Sequence, residues 1–585
     1  MHEGSPRHLG WALAVALWGC TGTIAPGVDP GTGGGPVGGP GGERGGGTMG
    51  GTGTGGSGDS GGAEGGTGGQ GPASAKLPVG GVRRLTVQQY ANSVRDLLGE
   101  GITVPPIEPD PSSDDEFVLT SVAVGRVSPS ARAVDQYDSA GRAIARQVFG
   151  DPARRQAVVG CAPASAADAC IAKFISGFGR RVWRRPLTDE ELARYKAAVA
   201  MVAAGRDAWA GLEAATAALL ASPNFVYRIE LGAKAAANGK HQLDDHELAT
   251  RLSYTLNDTT PDVALLDAAG RGELLARPEV LHAAIERLLA SPRARQPLLT
   301  FFSEWLGTTG LDSNGLAKDA TLYPAATPAL ARGMYLEIEG LVSRLVFDRE
   351  ADLLTLYGTR ETFLTAELAQ LYGLPSGAVP AGAKASPYTL PAGPRAGLLT
   401  TAAFLSLNAR ASITSPTLRG VFIRERLLCQ SVPPPPPDVD TTLPAPPPGA
   451  VETMRERLTR HRMNPACDSC HRLMDPLGLA LENFDALGAY RTTDAGKTID
   501  PSGDMDGHGF DGPQALQALV RESPDAATCA IRQLVQLLTG TDDAATADGL
   551  AAQLAPTWKS GGGRVKAFLQ SYLESPLART VEVAP

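Results

Sequence analysis

Cys467-Asp468-Ser469-Cys470-His471 places two thiols and an imidazole within five residues of a 585-residue chain. Asn464 can cap a helix that begins with Pro465 at its first position, which puts Cys467, Cys470 and His471 at i, i+3 and i+4 on one helical face. On such a face two thiols can add to the vinyl groups of a porphyrin while the imidazole reaches iron from one side, so the segment reads as a covalent haem c attachment site. Two other readings use the same residues: a Cys467–Cys470 disulfide beside an ordinary surface histidine, or half of a zinc site. A second pair of zinc ligands is not evident, because no other CxxC or HxxxH occurs in the chain. For the sixth iron position the nearby candidates are Met505 and His508, which the sequence puts on a loop after the attachment segment. His461 and Met463 before it are further candidates, and the position can also stay open. A ligated iron suits electron transfer, and an open one permits peroxide chemistry.

Haem attachment of this kind belongs outside the cytoplasm, and the N-terminus agrees. Arg7 and His8 precede an apolar stretch from Leu9 to Trp18 that is too short to span a bilayer. Leu17-Trp18-Gly19-Cys20 resembles a lipobox, which makes Cys20 the acylated first residue of the mature chain and anchors it to a membrane. Thr21 stands where an Asp would favour inner-membrane retention. The expected location is the outer membrane or cell surface, with the periplasm as the alternative. Of the 70 glycines, 24 lie in residues 31–71, a segment with few apolar side chains that reads as a flexible leash. Gly58-Asp59-Ser60-Gly61-Gly62 imitates a protease nucleophile segment there, and low-complexity sequence makes it a coincidence.

The chain carries 62 acidic and 53 basic residues, a net charge of -9, which leaves no basic excess for a phosphate backbone and excludes nucleic acid as an expected partner. A redox partner protein is the expectation instead. Seven cysteines minus Cys20 leave six. Cys161 and Cys170 close a short loop and are expected to form a disulfide, and elimination pairs Cys429 with Cys529.

The elements that must position these groups are mainly helical. Leu85-Thr86-Val87-Gln88-Gln89-Tyr90, Leu187-Thr188-Asp189-Glu190-Glu191-Leu192 and Leu243-Asp244-Asp245-His246-Glu247-Leu248 each spell a capping box flanked by a hydrophobic staple. Proline and cap signals predict further helices over 207–221, 278–290, 328–347 and 416–429. Residues 432–449 hold nine prolines and form an extended spacer. Ser502-Gly503-Asp504-Met505-Asp506-Gly507 begins like a calcium loop but has Pro513 at the twelfth position, so it reads as a Gly-rich connecting loop. Ala495-Gly496-Lys497-Thr498 lacks the first glycine of a phosphate loop, with Arg491 in its place.

The resulting fold class is mainly α and multidomain: a helical body, then a small cytochrome c-like, loop-rich haem segment, then a C-terminal helical domain. The expected divisions are a lipoprotein signal peptide 1–20, a linker 21–77, and helical domains 78–150, 151–205, 206–350 and 351–431. A Pro-rich spacer 432–450, the haem-like segment 451–510 and a C-terminal helical domain 511–585 follow.

From Val82 onward the chain resembles the exported multidomain proteins built from planctomycete-type surface and cytochrome-associated domains of unknown function, also common in myxobacteria. Five blocks carry the resemblance. They are Arg83-Arg84-Leu85 to Arg95-Asp96-Leu97-Leu98-Gly99; Phe178-Gly179-Arg180-Arg181 to Arg185-Pro186-Leu187-Thr188; Ala221-Ser222-Pro223-Asn224-Phe225 to Arg251-Leu252-Ser253-Tyr254; Arg395-Ala396-Gly397-Leu398-Leu399-Thr400 to Leu427-Leu428-Cys429; and His471-Arg472-Leu473-Met474-Asp475-Pro476 to Leu481-Glu482-Asn483-Phe484-Asp485. The segment from Cys529 to Leu538 is similar to the family's C-terminal domain. The resemblance implies haem attachment at Cys467 and Cys470 and iron ligation by His471. Thr255-Leu256-Asn257 departs from the Phe-Leu-Trp of similar proteins, so no site residue carries over there. Charged pairs such as Arg95 with Asp96 read as structural salt links.

The function expected from these observations is a lipid-anchored, c-type cytochrome-like protein of extracytoplasmic electron transfer or redox chemistry. The competing class is a non-enzymatic surface or polysaccharide-binding protein whose CxxC is a structural disulfide.

Overall fold

The computed structural model describes residues 76–582 apart from 112–118, 127, 233, 236–238, 383, 434–442 and 444. Cys20 and Ser60 lie outside the described residues. The unit from Ala75 onward is mainly helical and multidomain, with 59% helix and 8% strand.

Strand β1 (Gly81–Arg84) leads into α1 (Val87–Leu98), which Thr86 and Gln89 start with a reciprocal capping box. Helices α2 (Ala131–Phe149), α3 (Ala169–Trp183), α4 (Asp189–Gly205) and α5 (Ala208–Ala221) follow, and Thr188 with Glu191 caps α4 in the same way. Their apolar faces form one core that includes Tyr90, Ile144, Phe174, Phe178 and Leu219. The Cys161–Cys170 disulfide closes the loop ahead of α3, with Cα atoms 5.9 Å apart.

Strand β2 (Tyr227–Glu230) pairs antiparallel with β1, and β3 (Lys240–Gln242) pairs antiparallel with the final strand, residues 580–582. Asp244 and Glu247 then open α6 (Asp245–Asn257) with the third capping box. A buried ionic knot ties these pieces together. Glu230 meets Arg83 at 2.6 Å, Arg228 at 2.7 Å and Arg251 at 2.5 Å, and Arg251 also donates to Ala578 O at 2.7 Å. Burial works against the ionised carboxyl, but three guanidinium groups prevail and hold Glu230 well below the usual carboxylate range. Arg95 and Asp96 do not pair with each other: Arg95 reaches Glu100 at 3.4 Å and Asp96 binds Arg293.

The second, larger core runs from Leu77 to Ala578 and takes in α6, α7 (Pro278–Ala290), α8 (Pro328–Ser343) and α9 (Pro416–Phe422). The expected helices over 328–347 and 416–429 change character near their ends. Both widen into a π turn, marked by bonds from Arg349 N to Arg344 O and from Leu428 N to Ile423 O. Cys429 follows in a left-handed conformation and is bonded to Cys529, with Cα atoms 5.2 Å apart.

Beyond the proline-rich stretch, α10 (Met454–Arg462) and α11 (Pro465–Leu479) pack against each other. The segment read as a Gly-rich loop is instead a hairpin of β4 (Ser502–Met505) and β5 (His508–Asp511). Its two-residue turn, Asp506-Gly507, has both residues at positive φ, the arrangement that matches strand twist. Ala495-Gly496 makes the same kind of turn between Thr493-Asp494 and Lys497-Thr498.

Candidate cofactor-attachment site

Asn464 accepts from Ala466 N and Pro465 takes the first helical position, so α11 begins where the local chemistry places it. The helix is longer than a short attachment turn, running 15 residues to Leu479 with Pro476 inside it. Pro476 cannot donate to the carbonyl four residues back, and in this weakened turn Arg424 Nε donates to Leu473 O at 3.0 Å. The same guanidinium grips Asp506 Oδ2 at 2.7 Å and Oδ1 at 2.9 Å, fastening the β4–β5 turn to the helix.

Cys467 and Cys470 are both free thiols, so the alternative disulfide between them is not formed in this structure. Cys467 is buried at 9% exposure; Cys470 is half-buried, its Sγ 3.8 Å from Pro433 O. One turn on, His471 Nδ1 lies 3.0 Å from Asp475 Oδ2 and 3.1 Å from Oδ1. A carboxylate accepts, so Nδ1 is the nitrogen that donates, and in the neutral imidazole this tautomer leaves the lone pair on Nε2. Asp475 is itself fully buried and accepts from Thr417 Oγ1 on α9 at 2.8 Å. Thr417, Asp475 and His471 therefore form a relay that fixes the tautomer and ring plane, the arrangement that commonly orients metal-bound histidines.

The two helices are locked by absent side chains. A Cβ on Gly420 would fall 2.0 Å from Met474 O, and one on Gly478 would fall 1.9 Å from Pro416 O, so α9 and α11 meet backbone to backbone. Beside this crossing Arg419 is fully buried and donates to Leu481 O, Phe484 O and Asp485 O at 2.9 to 3.2 Å, and to Glu482 Oε1 at 3.3 Å. Burial lowers its guanidinium to about 10.

His461, in the last turn of α10, packs edge-on against His471 with ring centroids 4.7 Å apart. Met463 is 79% exposed. Met505 is buried in the large core, while His508, its register partner across the hairpin, is exposed. Among the described residues no hydrogen bond, ion pair or ring contact joins either of them to His471. Nor do the described residues contain a group of three or more His, Cys, Asp or Glu side chains arranged to hold a metal ion.

The donor set is of the kind that holds a haem c: two unbonded thiols at i and i+3 and an imidazole whose Nδ1, not its Nε2, makes the hydrogen bond among the described residues. Sequence reasoning singled out Cys467, Cys470 and His471 but gave Asp475 no role, although the His-x-x-x-Asp spacing on a helix was a usable signal. Thr417 had none, because its relevance depends on α9 crossing α11.

These observations define a mainly α-helical, multidomain chain with a two-thiol, one-imidazole face on a locked helix. Four family models match it in succession: PSD3, Protein of unknown function (DUF1587), over residues 83–150; PSD5, Protein of unknown function (DUF1595), over 170–230; PSD4, Protein of unknown function (DUF1592), over 243–374; and PSCyt3, Protein of unknown function (DUF1588), over 395–494. Four successive segments of the chain are thus similar to domain families of unknown function. Thr417, Cys467, Cys470, His471 and Asp475 all fall inside the last match. No curated protein and no solved structure matches the chain.

Proposed function

We propose that the protein is an exported, lipid-anchored, c-type cytochrome-like protein of extracytoplasmic electron transfer or redox chemistry. In this reading Cys467 and Cys470 would hold haem c through thioether bonds, His471 would ligate its iron, and Cys20 would carry the acyl chains that hold the protein to a membrane. One observation carries the reading: two unbonded thiols share a helical turn with an imidazole whose Nδ1 is committed to a buried carboxylate. When bound, haem c supplies one-electron redox chemistry. The chain's own contribution is orientation. Asp475 and Thr417 hold the proton at Nδ1 and leave Nε2 on the far side of the ring, and the α9–α11 crossing keeps the helix axis from shifting. The expected partners are a membrane and a redox protein.

The test is expression of the full chain with haem-maturation machinery. The expected result is covalent haem on a denaturing gel and a reduced cytochrome absorption band, both lost when Cys467 and Cys470 are replaced by Ser. His471→Ala should alter the iron spectrum, and Cys20→Ala should release a haem-loaded protein from membranes. Colourless, iron-free protein carrying a Cys467–Cys470 disulfide would overturn the proposal.

A further inference from the structure

Glu337, in the middle of α8, is 1% exposed, yet it makes no ion pair among the described residues. Glu230 and Glu482, buried almost as deeply, are each held by arginines. The two oxygens of Glu337 are met by hydroxyls instead: Thr362 Oγ1 lies 2.6 Å from Oε1 and Tyr372 Oη lies 2.6 Å from Oε2.

Arg395 and Glu361 share with this carboxyl a space of about 10 Å³, room for roughly one water. Neither group is committed to Glu337. Arg395 Nη2 donates to Gly488 O at 2.6 Å and Nη1 to Thr400 O, while Glu361 pairs with Arg349. Tyr372, Arg395 and Glu361 are the charged or titratable groups around the carboxyl. Burial pushes Glu337 up to about 7, outweighing the two hydroxyls and the Arg395 charge. Burial also raises Tyr372 well above its ordinary value, so it stays a phenol.

Hydroxyls donate or accept, so these partners serve either charge state. Tyr372 Oη accepts from Ala402 N at 2.9 Å and gives its own proton to Glu337 in both. Thr362 is the partner that reverses: its Oγ1 donates to the carboxylate and accepts from the acid.

The cluster lies on a boundary. Glu337, Thr362 and Tyr372 belong to the matched segment 243–374, whereas Arg395 and Ala402 belong to the next, 395–494, which carries the CxxCH helix. Tyr372 joins the two through the Ala402 N–H and through the Arg395 guanidinium, 3.7 Å above its ring. We propose that Glu337 is a pH-responsive latch at this joint: the neutral acid keeps it closed, and loss of the proton places an anion in a nearly dry site and favours opening to water. The latch requires no haem, so it and the cytochrome reading fail separately.

A carboxyl raised above its ordinary 4.5 adds stability that is full below that pH and is lost as the pH rises through about 7. Urea unfolding of the full chain from about pH 5 to about pH 9 tests this, with Glu337→Gln as the reference. A glutamine amide donates to Thr362 and accepts from Tyr372 as the acid does, and it does not titrate. The folding equilibrium of the wild type should fall relative to the variant by up to roughly a hundredfold across that range, and the comparison removes every other group that titrates there. Amide exchange over residues 398–407, compared between the two proteins at one pH, should match at the acid end and be faster in the wild type at the alkaline end. If Glu337→Gln does not fold, Tyr372→Phe replaces it: loss of a donor to the carboxylate should move the wild-type fall to higher pH. Parallel stability curves, a wild type that gains on Glu337→Gln as the pH rises, equal exchange at the alkaline end, or a fall unmoved in Tyr372→Phe would each overturn the proposal.

Discussion

The two halves of α11 are built by opposite rules. From Met474 onward the helix has no room beside it: Gly420 and Gly478 let backbone touch backbone, and Arg419 fills the space beyond with hydrogen bonds to four carbonyls and Glu482. From Pro465 to Leu473 the neighbours are sparse. Cys470 and His471 are half-buried and Leu473 is 37% exposed. Reactive groups need access and fixed direction together, which one packing environment rarely supplies. Here a rigid half sets the helix axis and a looser half carries the half-buried Cys470 and His471, with Cys467 buried one turn before them. Asp475 joins the two, because its carboxylate is buried in the locked half and its partner His471 lies in the looser one.

If that division is real, damage to the locked half should cost stability first. Arg419→Leu is expected to have the largest effect. It strips donors from Leu481 O, Phe484 O and Asp485 O and leaves Glu482 with Arg491 at 2.7 Å and Thr414 at 2.9 Å as its partners. Breaking a buried pair on one side costs about 3–5 kcal/mol, to be read as a lower urea midpoint. Gly478→Ala comes next. The added methyl meets Pro416 O, a backbone atom that cannot swing away, so α9 and α11 must separate at a cost of about 1–3 kcal/mol. A midpoint unchanged by either substitution would show that the crossing is not what holds α11 in place.

The local signals in this region were legible in the sequence, and the long-range ones were not. Asn464 and Pro465 mark the start of α11 because a cap needs only its own next two residues, and the capping boxes at Thr86, Thr188 and Asp244 are local in the same sense. The hairpin at Asp506-Gly507 is also written in the chain as a two-residue turn signal, set among acidic residues that imitate the start of a calcium loop. Arg419 looks like any helix-surface arginine until α11 and the segment after it fold over it. Thr417 lies 58 positions before its partner Asp475. A cleft of about 410 Å³ lined by Asp96, Arg181, Asn257, Asp262 and Arg293 draws on helices and loops far apart in the chain, and no single stretch announces it. Of Thr255-Leu256-Asn257, where the chain departs from the family it resembles, Asn257 falls on its wall.

The smallest expected effect is the most informative about the looser half. Asp475→Asn keeps the shape of the side chain and lets Thr417 still donate to the amide oxygen, so the α9–α11 crossing should survive with a loss of about 1–2 kcal/mol. What changes is the instruction given to His471. A carboxylate accepts at both oxygens and permits only the Nδ1–H form, whereas an amide can also offer an N–H and so admits the other tautomer. Imidazole nitrogen shifts in the haem-free protein should report a protonated Nδ1 in the wild type and a mixture in the variant. An unaltered tautomer in a folded Asp475→Asn protein would mean that the edge contact with His461, at 4.7 Å, orients the ring, and that the link between the two halves of the helix runs through α10 instead.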